Sequence, residues 1–317
     1  MRFDNATASA TAPGKWILFG EHFVVEGAPA LVWPLEQRTL TVHARSMPGP
    51  GGLRVTSAHP SAGSLLLAVR LLGEGLRHLQ VRLELHIEST LSMGQGLGSS
   101  AALVVAMDEA LAALRDDAPT TARALPSPST MARLARLEEI FHKRSSGLDL
   151  ACVASVKPLR YVKTPQGACA ESLKVDPPPV VLVLSASGHR TRDVQARSPG
   201  LDARLLDDYL GVLSAGEAAL AARDAHALGA AMDANQRLLE ALGVVDDNER
   251  ELCARVKRLG AQGAKITGAG GGGAVAVLHR DPARLCRALA ELGLETIRTT
   301  SPPNPLSING VGRPEKG

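Results

Sequence analysis

The chain has little cysteine, no long apolar run and no marked excess of one charge, and each shortage excludes a class of protein. Its four cysteines, Cys152, Cys169, Cys253 and Cys286, are scattered through 317 residues. They form no C-x-x-C pair and have no histidine at zinc-ligand spacing, which argues against a disulfide scaffold or zinc ribbon. Reduced, mostly buried thiols are expected. No apolar segment approaches the roughly 20 residues that cross a bilayer, and Met1-Arg2-Phe3-Asp4 lacks the apolar centre of a signal peptide. The expectation is a cytoplasmic protein with no membrane partner. Lysine and arginine total 35 against 32 aspartates and glutamates, a net charge of +3, and the signs are interspersed. That balance gives no basic stripe for nucleic acid, although a polyanionic small molecule would fit. There is no internal repeat.

What is present is enough apolar sequence, 45% of residues, for one large or two ordinary domains with a real core. After a small polar leader, residues 15–25 and 30–44 read as paired strands joined by Glu26-Gly27-Ala28-Pro29. Residues 81–87 alternate apolar side chains at period 2, the pattern of a half-buried strand. They lead into Met93-Gly94-Gln95-Gly96-Leu97-Gly98-Ser99-Ser100-Ala101-Ala102, followed by an alanine- and leucine-rich helix to residue 114. A glycine loop between a strand and a helix is a ready anion site, because glycine backbone N–H groups and the helix N-terminus both face the ligand.

Residues 116–129 form a polar connection, and Ser129 or Thr130 is placed to cap a helix running to about residue 143. At 100° per residue, Met131, Leu134, Leu137, Ile140 and Phe141 share its apolar face; Glu138 lies beside that face and Glu139 points away. Phase alone leaves Glu138 open between a semi-buried and a solvated position. Pro177-Pro178-Pro179 marks a domain boundary, giving units 1–178 and 179–317, the second opening on an all-apolar strand at 180–184. Helices are expected at 201–222, 224–242 and 248–259, and the tail from Ser301 is expected to be irregular. A second glycine run, 268–273, is enclosed by strand-like residues.

Neither glycine run matches the common nucleotide fingerprints. No Gly-Lys-Ser/Thr follows either one, so a P-loop is excluded. Gly268, Gly270 and Gly273 satisfy G-x-G-x-x-G, but the residues after them read as a strand where a dinucleotide fold needs a helix. The protein-kinase Asp-Phe-Gly element is also missing.

Three motifs do belong together. Pro13-Gly14-Lys15-Trp16-Ile17-Leu18-Phe19-Gly20-Glu21-His22-Phe23-Val24-Val25, residues 94–102 and residues 265–273 resemble, in order, the signature motifs of the GHMP kinases. Within that superfamily the first motif is most similar to the mevalonate kinases. The resemblance implies a two-domain α+β fold, with an N-terminal domain like ribosomal protein S5 domain 2 and a ferredoxin-like C-terminal domain. It implies ATP and Mg²⁺ as cofactors, mevalonate as acceptor and a possible homodimer. By motif position, Asp149 and Lys15 are implied as catalytic, and Ser100 and Glu138 as the metal ligands. Gly94, Gly96, Leu97, Gly98, Ser99, Ser100, Ala101, Gly270 and Gly271 are implied at the nucleotide. Glu21, His22, Thr191, Ala269 and Gly271 are implied at the substrate. Two features leave the acceptor open: Glu26, in Val-Val-Glu-Gly, is also usual in phosphomevalonate kinases, whereas His22 favours mevalonate. A non-catalytic binder of the same fold would be expected to have a broken set, and Lys15, Ser100, Glu138 and Asp149 are all in place.

Overall fold

The computed structural model describes residues 5–49, 52–57, 81–114, 125–139, 145–164, 167–185 and 201–299. Strands β1 (Thr7–Phe19) and β2 (Ala30–Pro48) pair antiparallel, and β2 also pairs with β4 (Val81–Ser89), which carries β3 (Gly52–Ser57) parallel on its far side. The hairpin of β5 (Leu159–Thr164) and β6 (Gly167–Ser172) extends this six-stranded sheet from the other part of β2. Strand β1 begins at Thr7, within what reads as a polar leader. Its buried alternate residues there are Ala8, Ala10 and Ala12, whose small side chains and weak strand preference hide the period-2 signal. The chain then leaves the strand at Gly20, φ +111°, and residues 23–26 form a 3-10 turn instead of continuing the strand.

Helix α1 (Ser99–Leu114) lies on β1 and β2, with α2 (Pro128–Glu138) and α3 (Leu148–Ser155) packed beside it. The cap of α2 is Ser127, whose side chain accepts from the Thr130 N–H, and Pro128 occupies the first turn. Proline has no N–H to lose there, which moves the cap upstream of Ser129 and Thr130. Residues 140–143, expected to complete this helix, lie outside the described residues, as do Thr191 and the tail from Ser301.

The second sheet is formed by β7 (Val180–Leu184), β8 (Gly263–Thr267), β9 (Ala274–Leu278) and β10 (Thr296–Arg298). Its order is β10-β7-β9-β8 with every neighbouring pair antiparallel. Helices α4 (Ala203–Ala222), α5 (Ala225–Ala241) and α6 (Asp247–Arg258) join β7 to β8, and α7 (Pro282–Glu291) joins β9 to β10. This is the split β-α-β-β-α-β arrangement of ferredoxin-like domains. Strands β7, β8 and β9 are buried throughout. All four cysteines are free thiols; Cys152 and Cys253 are buried, but Cys169, on an outer strand, is exposed.

Two aromatic stacks among the described residues tie elements together. Trp16 stacks on Trp33 across β1 and β2, with ring centroids 5.3 Å apart. Phe23 stacks on Tyr209 of α4 at 4.0 Å, and the Tyr209 hydroxyl donates to the Pro29 carbonyl at 2.6 Å. Helix α5 approaches β8 more closely still, because Gly229 faces Gly263. A Cβ on Gly229 would stand 2.5 Å from the Gln262 carbonyl oxygen. Alanine at this helical position would gain about 1 kcal/mol of helix propensity, but the clash is with backbone, which no rotamer change relieves, and overpacking costs about 1–3 kcal/mol. Gly229→Ala is therefore expected to lower the thermal midpoint, and a raised midpoint would show that the helix and strand can separate freely.

Candidate active site

Residues 94–98 hold the glycine loop, in which Gly94, Gly96 and Gly98 have φ of +78°, +70° and +79°. The alternation is required by space as well as by φ. A Cβ on Gly96 would lie 2.9 Å from the Thr267 carbonyl oxygen, and one on Gly98 would lie 2.7 Å from Cγ of Lys15. Bare backbone is therefore all that fits between the strand carrying Lys15 and the loop before β9. Gly98 leads straight into α1, whose first turn contains Ser99, Ser100 and Ala101, with the Ala102 N–H donating to the Gly98 carbonyl at 2.9 Å. This cradle of glycine backbone and helix N-terminus suits the phosphates of a nucleotide.

Lys15 lies directly beneath the loop. Its own N–H donates to the Leu97 carbonyl at 2.9 Å, and its Nζ is 3.1 Å from Oδ1 of Asp149, with the lysine side chain 3% and the aspartate 30% exposed. Asp149 is thus the open end of a buried ion pair. It stands in the first turn of α3, which starts at Gly147 with φ +82°. The segment leading into that turn is held from several sides: the Tyr161 hydroxyl donates to the Ser146 carbonyl at 2.6 Å, and Lys163 Nζ to the Ser145 carbonyl at 3.2 Å. The Gly147 N–H donates to Ser145 Oγ at 3.1 Å. A Cβ on Gly147 would come within 2.7 Å of the Tyr161 hydroxyl, so glycine is required for both its φ and its neighbour. Burial, then the nearby carboxylates, push the Tyr161 hydroxyl up to about 12, so it remains a donor.

Glu138 ends α2 with 1% exposure. Its Oε2 accepts a 2.5 Å hydrogen bond from Ser145 Oγ. Burial first, and the charge of Asp149 second, raise its carboxyl to about 7, against the opposing pull of Ser145 and Lys15. Two carboxylates near one ammonium leave a place that a cation would neutralise. A lone carboxylate plus hydroxyls is the sparse set that Mg²⁺ accepts when phosphates and water complete its shell. The residues present thus fit a magnesium nucleotide.

The loop between β8 and β9 closes the site against β1. The Ile17 N–H donates to Thr267 Oγ1 at 2.8 Å, and Lys265 forms a fully buried ion pair with Glu21 while also donating to the Ile266 carbonyl at 2.7 Å. His22 Nε2 is 3.0 Å from the Ala269 carbonyl. That contact places the proton on Nε2, and burial, the largest influence, lowers the ring's pKa despite this bond and Glu21. A neutral ring with Nδ1 as acceptor follows.

The structure thus brings Lys15, Asp149 and Gly98 together, and places His22 against Ala269. Two of the expected residues also make contacts within the protein. Glu21, expected at the substrate, has one oxygen committed to Lys265, with both side chains fully enclosed. Gly271, expected at nucleotide and substrate, directs its N–H to Glu249 Oε2 at 3.1 Å. Sequence reasoning missed Tyr161, Ser145, Thr267, Lys265 and Glu249 as supports. Lys265 and Thr267 stood inside the 265–273 motif without an assigned role, and Glu249 carried the Asp246-x-x-Glu249 capping box.

Comparison with known proteins matches residues 64–156 to "GHMP kinases N terminal domain" and residues 217–295 to "GHMP kinases C terminal". A mevalonate kinase of Methanothermobacter thermautotrophicus is 33% identical over 283 residues, covering 84% of this chain and 89% of that protein. Among solved structures, L. major mevalonate kinase in complex with R-mevalonate aligns with a TM-score of 0.76 at 22% identity, over 94% of this chain and 98% of the other. A Streptococcus pneumoniae phosphomevalonate kinase bound to phosphomevalonate and AMPPNP aligns with 0.70 at 19%, covering 92% and 99%.

The raised carboxyl of Glu138 has a stability consequence. Its folded pKa, about 7, exceeds the unfolded value, so the ligand-free protein gains stability from this group as pH falls from about 7 toward 4.5, and loses it as pH rises through 7. Glu138→Gln has no such dependence. The variant should be relatively more stable at pH 8, and its advantage should shrink by about 3 kcal/mol toward pH 4.5. Thermal melts of both proteins at pH 8 and pH 5 measure this; a constant gap would mean Glu138 titrates normally.

Proposed function

The chain belongs to the GHMP kinases, and on that footing we propose that it transfers the γ-phosphoryl group of ATP to the 5-hydroxyl of mevalonate. The sequence relatives that cover most of the chain are named mevalonate kinases, which favours mevalonate over phosphomevalonate as acceptor. The observation that carries the chemistry is the Lys15–Asp149 pair, 3.1 Å apart beneath a glycine loop.

Phosphoryl transfer to an alcohol requires alignment, charge neutralisation and removal of one proton. When bound, Mg·ATP supplies the phosphoryl group and much of the neutralising charge. The rest falls to side chains of this chain. Asp149, with 30% of its side chain exposed, accepts a hydrogen bond from the attacking hydroxyl, orients it and takes its proton as the new bond forms. Lys15 fixes that carboxylate and faces the charge developing on the reacting oxygen. Glu138 and Ser100 hold the metal, with Ser99 and the backbone of residues 94–98 on the phosphates. Neutral His22, oriented by the Ala269 carbonyl, faces the acceptor. Thr191, from outside the described residues, is assigned to the acceptor side by motif position alone.

Two measurements test this reading. The purified protein with Mg·ATP should release ADP with mevalonate and stay at background with phosphomevalonate; the reverse pattern would replace the acceptor. Asp149→Asn should retain ATP binding but lose about 10²- to 10⁴-fold in turnover. Unchanged turnover would remove Asp149 from the reaction.

A further inference from the structure

The glycine-rich loop between β8 and β9 is already occupied by a carboxyl group of the protein itself, whose pKa burial raises against the opposing pull of the backbone N–H groups. Glu249, in the first turn of α6, is fully buried and accepts from four backbone N–H groups. Its Oε2 takes those of Asp246 at 3.0 Å and Gly271 at 3.1 Å; its Oε1 takes those of Gly272 at 3.2 Å and Gly273 at 3.0 Å. Successive N–H groups turned inward by glycines at positive φ, here Gly270, Gly271 and Gly272 at +74°, +75° and +109°, form the kind of nest that elsewhere binds phosphate. In this chain a side-chain carboxylate fills it.

The same loop touches both functional sides of the site. Its Ala269 carbonyl meets His22. Gly268 lies against Gly96, where a Cβ would be 2.7 Å from the Gly96 Cα, and a Cβ on Gly273 would be 3.2 Å from the Gln95 carbonyl oxygen. A shift of the loop would therefore move the wall of the 94–98 cradle and the partner of His22 together. Cradle geometry matters steeply, because small misplacements of reacting groups cost large factors in rate.

We infer that Glu249 is a positioning residue for the phosphoryl-transfer site: as the internal carboxyl group of the Gly271–Gly273 nest, it sets the loop that supports the glycine cradle and His22. The phosphates of the nucleotide accordingly fall to residues 94–98 and the start of α1, not to the Gly271 N–H. This rests on the kinase reading for its catalytic consequence, but the loop geometry itself can be tested without turnover.

The decisive variants are Glu249→Gln, which keeps the shape and removes the charge, and Asp246→Ala, which breaks the other half of the capping box but leaves the nest filled. Hydrogen exchange of the 268–273 amides in the ligand-free protein should speed up at least tenfold in Glu249→Gln and by less than twofold in Asp246→Ala. With Mg·ATP and mevalonate, kcat/KM should fall about tenfold or more in the first and stay within twofold in the second, even where both lower the melting temperature. Glu249→Asp, charged but one methylene short, should show smaller shifts in the same direction and serves if Glu249→Gln does not fold. Unchanged loop exchange in Glu249→Gln, or equal effects from Asp246→Ala, would overturn the inference and reduce Glu249 to a helix cap. Faster exchange in a protein whose wild type does not phosphorylate mevalonate would retain the loop role and reject the acceptor instead.

Discussion

The buried ion pair of Lys265 with Glu21 is the tie on which the rest of the site depends. It joins the end of β1, in the first sheet, to β8, in the second, with both side chains fully enclosed. Burial lowers the lysine's pKa as the largest influence, and Glu21 acts against it. Such a pair adds little net stability over apolar residues of similar size, since both ions lose their water. Its effect is on register. Separating the partners leaves a charge buried alone, at about 3–5 kcal/mol, so the two sheets have one acceptable alignment. Within that alignment Ile17 finds Thr267 and His22 finds Ala269, and Gly96 meets Gly268 backbone to backbone.

Once the sheets are aligned, the electrostatics around the Lys15–Asp149 pair follow from position. β1 delivers Lys15 under the glycine loop, α3 delivers Asp149 in its first turn, and α2 ends on Glu138. One ammonium against two carboxylates leaves local negative charge, and burial concentrates its effect on Glu138. Asp149 is the more open of the two, with 30% of its side chain exposed. Cys152, one turn further along α3, is fully buried and its thiol is pushed well above its usual range, mainly by burial. It is therefore inert packing beside the Asp149 carboxylate.

Features governed by short-range chemistry were legible in the residues. The apolar alternation of residues 81–87, the glycines of 94–98, the helix after them and the strand-like residues after Gly273 all appear as read, and so does the rejection of a dinucleotide fold. Glu138 emerged from helical phase, and its burial decided between the alternatives left open there. The misses were of two kinds. Alanine-based Thr7–Pro13 and the short strands Gly52–Ser57, Leu159–Thr164 and Gly167–Ser172 have weak local signals and depend on sheet partners. Tyr161, Thr267, Lys265 and Glu21 bond across separations that no periodicity reports.

The sequence by itself determined the strongly patterned elements, the glycine positions and the motif set that implies a kinase, because backbone φ, helical phase and strand alternation act within a few residues. Only the tertiary structure decided how the charged groups are used. Glu21 and Lys265 are 244 residues apart, and Glu249 is 22 residues from Gly271. Whether a carboxylate faces a ligand, a buried lysine or a ring of backbone N–H groups depends on which surfaces fold together and exclude water. That choice turned one glycine-rich motif into a candidate phosphate cradle and the other into its support.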